Sequence, residues 1–175
     1  MPQNVLIAGA PGIGKTTLIS RLYRDLTPLL VRGFYKEALH ENQVIKGYHL
    51  RTFNFQELVY AHIHLEGPDR FGEFGLNKDG LDHLVTRELS TKSGTELFLI
   101  DEIGLMECQS VRFCRHIIEA MNSDIPLIAT LASIDVLDVL DVKDRKDITL
   151  LKMNQKNKNS LWKTVLVEIS KPSPE

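Results

Sequence analysis

Apolar residues along the chain alternate between short continuous runs and spaced stripes. Residues 4–10 (NVLIAGA) and 97–100 (LFLI) are continuous runs of the kind found in strands covered on both faces. Residues 15–26 instead place Leu18, Ile19, Leu22 and Leu26 on one side of a helix. The same spacing predicts a helix over 79–91, buried through Leu81, Leu84, Val85 and Leu89, and another over 109–122, with Phe113, Cys114, Ile117, Ile118 and Met121 as its stripe. Strand formers dominate 33–38 (GFYKEA) and 44–53 (VIKGYHLRTF), which flank the turn-like HEN and suggest a hairpin. Residues 57–65, 126–131 (PLIATL) and 148–153 (ITLLKM) read as further strands, and 160–169 as a closing helix. Between them, GPDRFGEFGLNKDG at 67–80 carries four glycines in fourteen residues and is expected to be irregular and mobile. Strands alternating with helices predict an α/β fold with a mostly parallel central sheet and helices on both faces.

Composition narrows the function classes. With 43% hydrophobic residues the chain is one domain, expected over 1–170, followed by a frayed tail at 171–175. A formal net charge of −2 leaves no basic excess for a nucleic-acid backbone. The apolar run at the start is too short and lacks a basic flank for a signal peptide, and no stretch reaches membrane-span length, so a soluble cytoplasmic protein is expected. Cys108 and Cys114, six apart, would be rotated by about 600° along one helix and fall on different faces, as small buried hydrophobes. Asp at 135, 138, 141, 144 and 147 spreads around a helix and predicts a solvated acidic surface.

The chemistry begins at GAPGIGKTTLI, residues 9–19. Gly9, Gly14, Lys15 and Thr16 satisfy G-x-x-x-x-G-K-[ST] between a predicted strand and a predicted helix, the context its mechanism requires. Glycines let consecutive backbone amides turn toward a phosphate, the helix N-terminus adds partial positive charge, and Lys15 reaches the β and γ phosphates. Thr16 is the expected Mg²⁺ ligand, Thr17 the α-phosphate contact, and Pro11 stiffens the loop. The phosphate site thus comprises Gly9, Ala10, Pro11, Gly12, Ile13, Gly14, Lys15, Thr16 and Thr17. The glycine spacing is wrong for the dinucleotide pattern G-x-G-x-x-G.

FLIDEIG ends a buried strand on Asp101 and Glu102. A parallel sheet brings strand ends together beside the loop, which makes Asp101 the carboxylate that helps hold Mg²⁺. Glu102 is placed to orient and deprotonate a water for in-line attack on the γ-phosphate, so that Lys15 and Glu102 are the expected catalytic pair. Glu107 follows just ahead of the next helix, where an interaction with the helix dipole suits it equally well.

With GAPGIGKTTLI at 9–19, GFYKEALHENQVIKGYHL at 33–50 and LIDEIGLMECQSVRF at 99–113, the chain resembles the cancer-related nucleoside-triphosphatase family, small P-loop NTPases of thermophilic microbes and animals. The resemblance implies a Rossmann-like P-loop domain that hydrolyses several ribonucleoside triphosphates slowly, to diphosphate and phosphate, using Mg²⁺. It assigns the triphosphate to Gly9 through Thr17, and the metal and water to Asp101 and Glu102. Two positions depart from the family pattern: Leu105 stands where relatives often carry Lys or Pro, and Lys158 ends Asn154-Gln155-Lys156-Asn157-Lys158 where an Arg is usual. Lysine lacks the flat guanidinium that would stack on a base.

Weaker signals remain. His62 and His64 share a strand face and form either a metal pair or an ordinary surface. Arg70, Arg112 and Arg115 are candidates for a cation set against transition-state charge, and Gly67, Gly72 and Gly75 for hinges of a lid or plain turns. Two rival functions stay open beside hydrolysis. A small-molecule or nucleotide kinase would use the same loop, but an arginine-rich lid is missing from 133–147, where five Asp face Lys143, Arg145 and Lys146, and no acceptor site is apparent. A sensing module would bind triphosphate and report it to a protein partner with little turnover.

Overall fold

The computed structural model describes residues 4–91 and 94–171. Among them the strands are β1 (Asn4–Gly9), β2 (Val31–Glu41), β3 (Val44–Thr52), β4 (Glu57–His62), β5 (Arg70–Phe71), β6 (Phe74–Leu76), β7 (Leu97–Ile103), β8 (Leu127–Leu131) and β9 (Ile148–Met153). The helices are α1 (Lys15–Asp25), α2 (Lys78–Glu88), α3 (Val111–Met121), the short α4 (Val136–Val139) and α5 (Leu161–Ile169), with a 3-10 turn at Glu107–Gln109. One sheet runs in the order β5-β6-β4-β3-β2-β7-β8-β1-β9. From β2 to β9 neighbours are parallel, and from β2 outward to β5 they are antiparallel.

Strand alternation supplies two cores. Val5, Ile7, Leu97 and Leu99 point to one face and pack under α1 and α5 with Leu18, Leu22, Leu161 and Val165. Leu6, Phe98 and Ile100 point to the other, under α2 and α3, with Leu81, Val85, Phe113 and Ile117. Helices therefore cover both faces, as the periodicity requires. Side chains cap α2 and α3: Asn77 Oδ1 accepts from the Gly80 amide (2.9 Å) and Ser110 Oγ from the Phe113 amide (3.0 Å).

Several expectations shift. The glycine-rich stretch 67–80 is ordered as the β5–β6 hairpin, whose turn contains Gly72, and as the first turn of α2. The 97–100 strand continues to Ile103, so Asp101 and Glu102 lie within it, just ahead of its last residue. Cys108 sits in the 3-10 turn rather than on the helix of Cys114; the two free thiols are neighbours, with Cys114 Sγ 3.7 Å from the Cys108 carbonyl. Of the five spaced aspartates, 135, 138, 141 and 144 are exposed, while Asp147 turns inward and accepts from Arg145 and from Asn4 Nδ2 (3.1 Å). His64 has left the strand of His62 and donates its amide to the His62 ring (3.2 Å). Residues 172–175 of the expected tail lie outside the described residues. No helix among the described residues is long and apolar enough to cross a membrane.

Candidate active site

Gly9 closes β1 and Lys15 opens α1, so residues 10–14 make the whole turn from sheet to helix. Gly12 (φ 73°) and Gly14 (φ 112°) both sit in the left-handed region, where a side chain would be strained. Gly14 offers α1 no side-chain cap, and the first turn carries no acid. The first intrahelical bond runs from Leu18 to Gly14 (3.0 Å), which leaves the amides of Lys15, Thr16 and Thr17 without intrahelical acceptors. This helix start is built for an anion.

A recess of ≈ 520 Å³ opens there, walled by Pro11, Gly12, Gly14, Lys15, Thr16 and Thr17 on the loop side and by Glu102 and Ala132 opposite. Gly9 contributes from below, its carbonyl accepting from Lys15 Nζ (2.8 Å). Ala10 accepts the Ile13 amide within the turn (3.2 Å), and Ile13 faces a neighbouring recess. The expected loop residues are thus gathered at one place, with Lys15 Nζ 3.9 Å from Glu102.

The two carboxylates at the end of β7 part company. Glu102 enters the phosphate recess, whereas Asp101 is 3% exposed and lines a second cavity that Thr16 also borders. Asp101 Oδ1 accepts from the Thr130 hydroxyl on neighbouring β8 (2.5 Å), which fixes the carboxylate beside Thr16.

Lys36 is the residue that sequence reasoning passed over. Parallel pairing of β2 with β7 sets Tyr35 against Asp101, so Lys36 stands beside Glu102, at 3.4 Å. Its ammonium also bonds Glu107 Oε1 at 3.1 Å. Burial works against the charge of Lys36, but Glu107 and then Glu102 outweigh it and hold its pKa above the ordinary 10.5. Glu107 is fully buried, so this ion pair accounts for it in place of a helix dipole. A Cβ at Gly104 would come within 2.6 Å of Glu107 Oε2, so only glycine leaves room for that carboxylate. The available signal was the Lys within GFYKEA; its partner is 71 residues away.

Lys158 borders the recess that Ile13 faces, a hollow of ≈ 400 Å³ walled also by Thr17, Met153, Asn159 and Trp162. Leu105 packs against the α2–α3 core. The three candidate arginines lie elsewhere. Arg70 is on β5, seven strand positions from β1, roughly 30 Å at 4.8 Å per strand. Arg112 lines a hollow with His83 and Arg87, and Arg115 is exposed on α3.

The geometry agrees with the comparisons. A family model described as NTPase matches residues 4–166. Nucleoside-triphosphatase THEP1 of Thermotoga maritima is 34% identical over 165 residues, which are 94% of each chain. The crystal structure of THEP1 from the hyperthermophile Aquifex aeolicus superposes with a TM-score of 0.81 at 22% identity, over 96% of this chain and 99% of that one. The solution structure of a human cancer-related nucleoside triphosphatase gives 0.77 at 24% identity, over 97% and 100%. At those identities the two solved structures establish the P-loop fold.

Proposed function

The chain belongs to the NTPase family, and from that premise we propose that it hydrolyses nucleoside triphosphates to diphosphate and phosphate, with Mg²⁺, broad base specificity and slow turnover. The observation that carries the reading is Glu102, held between Lys15 and Lys36 at the mouth of the phosphate loop. In the proposed reaction the amides of 15–17 and the Lys15 ammonium bind the phosphates. Glu102 takes a proton from a water as its oxygen bonds to the γ-phosphorus; the bond to the β–γ bridging oxygen breaks, and the diphosphate leaves with that electron pair.

Thr16 and Asp101 suit a small hard cation, since both offer oxygen and the buried Asp101 carboxylate is already oriented by Thr130. They would hold Mg²⁺, which when bound neutralises charge on the β and γ phosphate oxygens.

Broad specificity is supported by the hollow beside Thr17, where the base would lie among Met153, Trp162 and the Arg21 guanidinium stacked 3.9 Å over that ring, flat groups that suit any base, with Lys158 and Asn159 also on the wall. Slow turnover is supported by the phosphate recess, where no described wall residue is an arginine. An arginine set against the transition state is worth about 10³- to 10⁵-fold. The test is phosphate release from ATP, GTP, CTP and UTP, with Mg²⁺ and with EDTA. Comparable slow release from all four that stops in EDTA is expected; release confined to one base, or undiminished by EDTA, would overturn the corresponding part of the proposal.

A further inference from the structure

Two hollows flank α1, one against Thr17, Leu18 and Arg21 and the other against Ile19, Ser20 and Tyr23, and the phosphate recess lies at its start between them. Hydrolysis fills the first and the recess but only touches the other through Thr16 and Asp101. The base hollow shares Gly14 and Thr17 with the phosphate recess. The phosphate recess shares Thr16 with the other hollow, a third cavity of ≈ 320 Å³, which has no wall residue in common with the first. A triphosphate whose base lies in the first hollow would run across the phosphate recess to Thr16, which is also a wall of the third.

That third cavity is built for a ring. Tyr23 and Tyr35 bracket Phe53, at centroid distances of 4.6 and 5.6 Å. Phe55 stands at the mouth, 93% exposed and in the left-handed region (φ 67°). Exposing a whole phenyl ring from a strained backbone is unfavourable twice over, and a ring stacked on it would offset part of that cost. Its volume suits one small molecule. The described residues that line it include Glu37 and Asp101 but no lysine or arginine, and the nearby Arg51 is taken up by Glu37 at 2.9 Å, so no wall group is placed to bind a phosphate on the ligand. A neutral planar compound fits, and Thr16 and Asp101 put it next to the γ-phosphate.

We propose that this cavity is a phosphoryl-acceptor site for a nucleoside, so that the enzyme passes the γ-phosphoryl group to a nucleoside hydroxyl as well as to water. The inference rests on the triphosphate lying in the phosphate recess. In the step, the nucleoside hydroxyl oxygen bonds to the γ-phosphorus and the bond to the β–γ bridging oxygen breaks. The nucleoside diphosphate leaves with that electron pair, and the hydroxyl proton passes to Glu37, the cavity carboxylate not committed to the metal, whose other oxygen stays free of the Arg51 ion pair at Oε2. The products are a nucleoside monophosphate and the diphosphate.

The experiment incubates the full chain with Mg²⁺ and ATP labelled in the γ-phosphate, without acceptor and with adenosine, guanosine, cytidine or uridine, and separates labelled monophosphate from labelled phosphate. Labelled monophosphate is expected from at least one nucleoside. In Phe55→Ala, at an exposed position that leaves the fold intact, the ratio of transferred to released label should fall about tenfold, the effect of losing one base–aromatic stack. Glu37→Gln should lower the same ratio. Label found only in free phosphate with all four nucleosides overturns the acceptor site, and so does a ratio unchanged in Phe55→Ala. The acceptor-free control reports hydrolysis by itself, so release without transfer sinks this inference and leaves the hydrolytic reading standing.

Discussion

Lys36 Nζ stands 3.4 Å from Glu102 Oε1, across the parallel pairing of β2 with β7. The same ammonium neutralises the fully buried Glu107, so one lysine ties the candidate base to the core. Replacing Lys36 by Met should lower kcat by about tenfold, equivalent to about 1.4 kcal/mol of lost transition-state interaction, with little change in KM. Lys36→Arg should recover part of it. Glu107 would be left without its counter-charge, which typically costs about 3–5 kcal/mol. Urea unfolding of Lys36→Met checks the second effect, and steady-state phosphate release the first.

The same pair makes stability depend on alkaline pH. The folded pKa of Lys36 lies above 10.5, so its contribution is fully present below that value and is lost as pH rises through the folded pKa. The difference in urea midpoint between wild type and Lys36→Met should hold constant through neutral pH and narrow in strong alkali. A difference that widens there would contradict the assignment.

Asp147 gives the opposite sign. Hydrogen bonding from Arg145 outweighs burial and lowers its pKa below 3.8, with Asn4 at the start of β1 adding a further bond. Its stabilisation is present above 3.8 and lost as pH falls through the folded value. Asp147→Asn should cost about 1.5–3 kcal/mol at neutral pH, as for hydrogen bonds to charged groups. In acid, denaturation curves of the two proteins should converge.

Thr130 orients Asp101 from β8, and Thr130→Val removes that donor while nearly conserving shape. Loss of a group that orients a metal ligand typically costs about 10- to 100-fold, so the concentration of Mg²⁺ needed for half-maximal phosphate release should rise on that scale. Added Mg²⁺ should restore much of the rate. A Mg²⁺ requirement unchanged from wild type would argue that Asp101 does not approach the metal.

The phosphate loop and the acidic pair were legible because each is a local pattern: Gly9 to Thr17 is continuous, and Asp101 and Glu102 end an apolar run. The parallel half of the sheet was legible for the same reason. Lys36 and Glu107 were not, because a lone lysine on a strand reads like any other until β2 is set against β7. The acceptor cavity draws Tyr23, Tyr35 and Phe53 from a helix and two strand regions, each of which looks like ordinary packing. The glycines at 67–80 suggested irregularity, whereas Phe71 and Phe74 face each other across a two-strand hairpin there.

Glu102→Gln is the most direct test of the whole account, because it keeps the side chain's size beside Lys15 and Lys36 while removing its charge and its capacity to take a proton. Single-turnover phosphate release and triphosphate binding would be measured side by side in wild type and variant. Binding should be retained while release falls by about 10²- to 10⁴-fold, the range of a positioned general base. Release at the wild-type rate would mean that another group activates the water, and the assignment of Glu102 would fall.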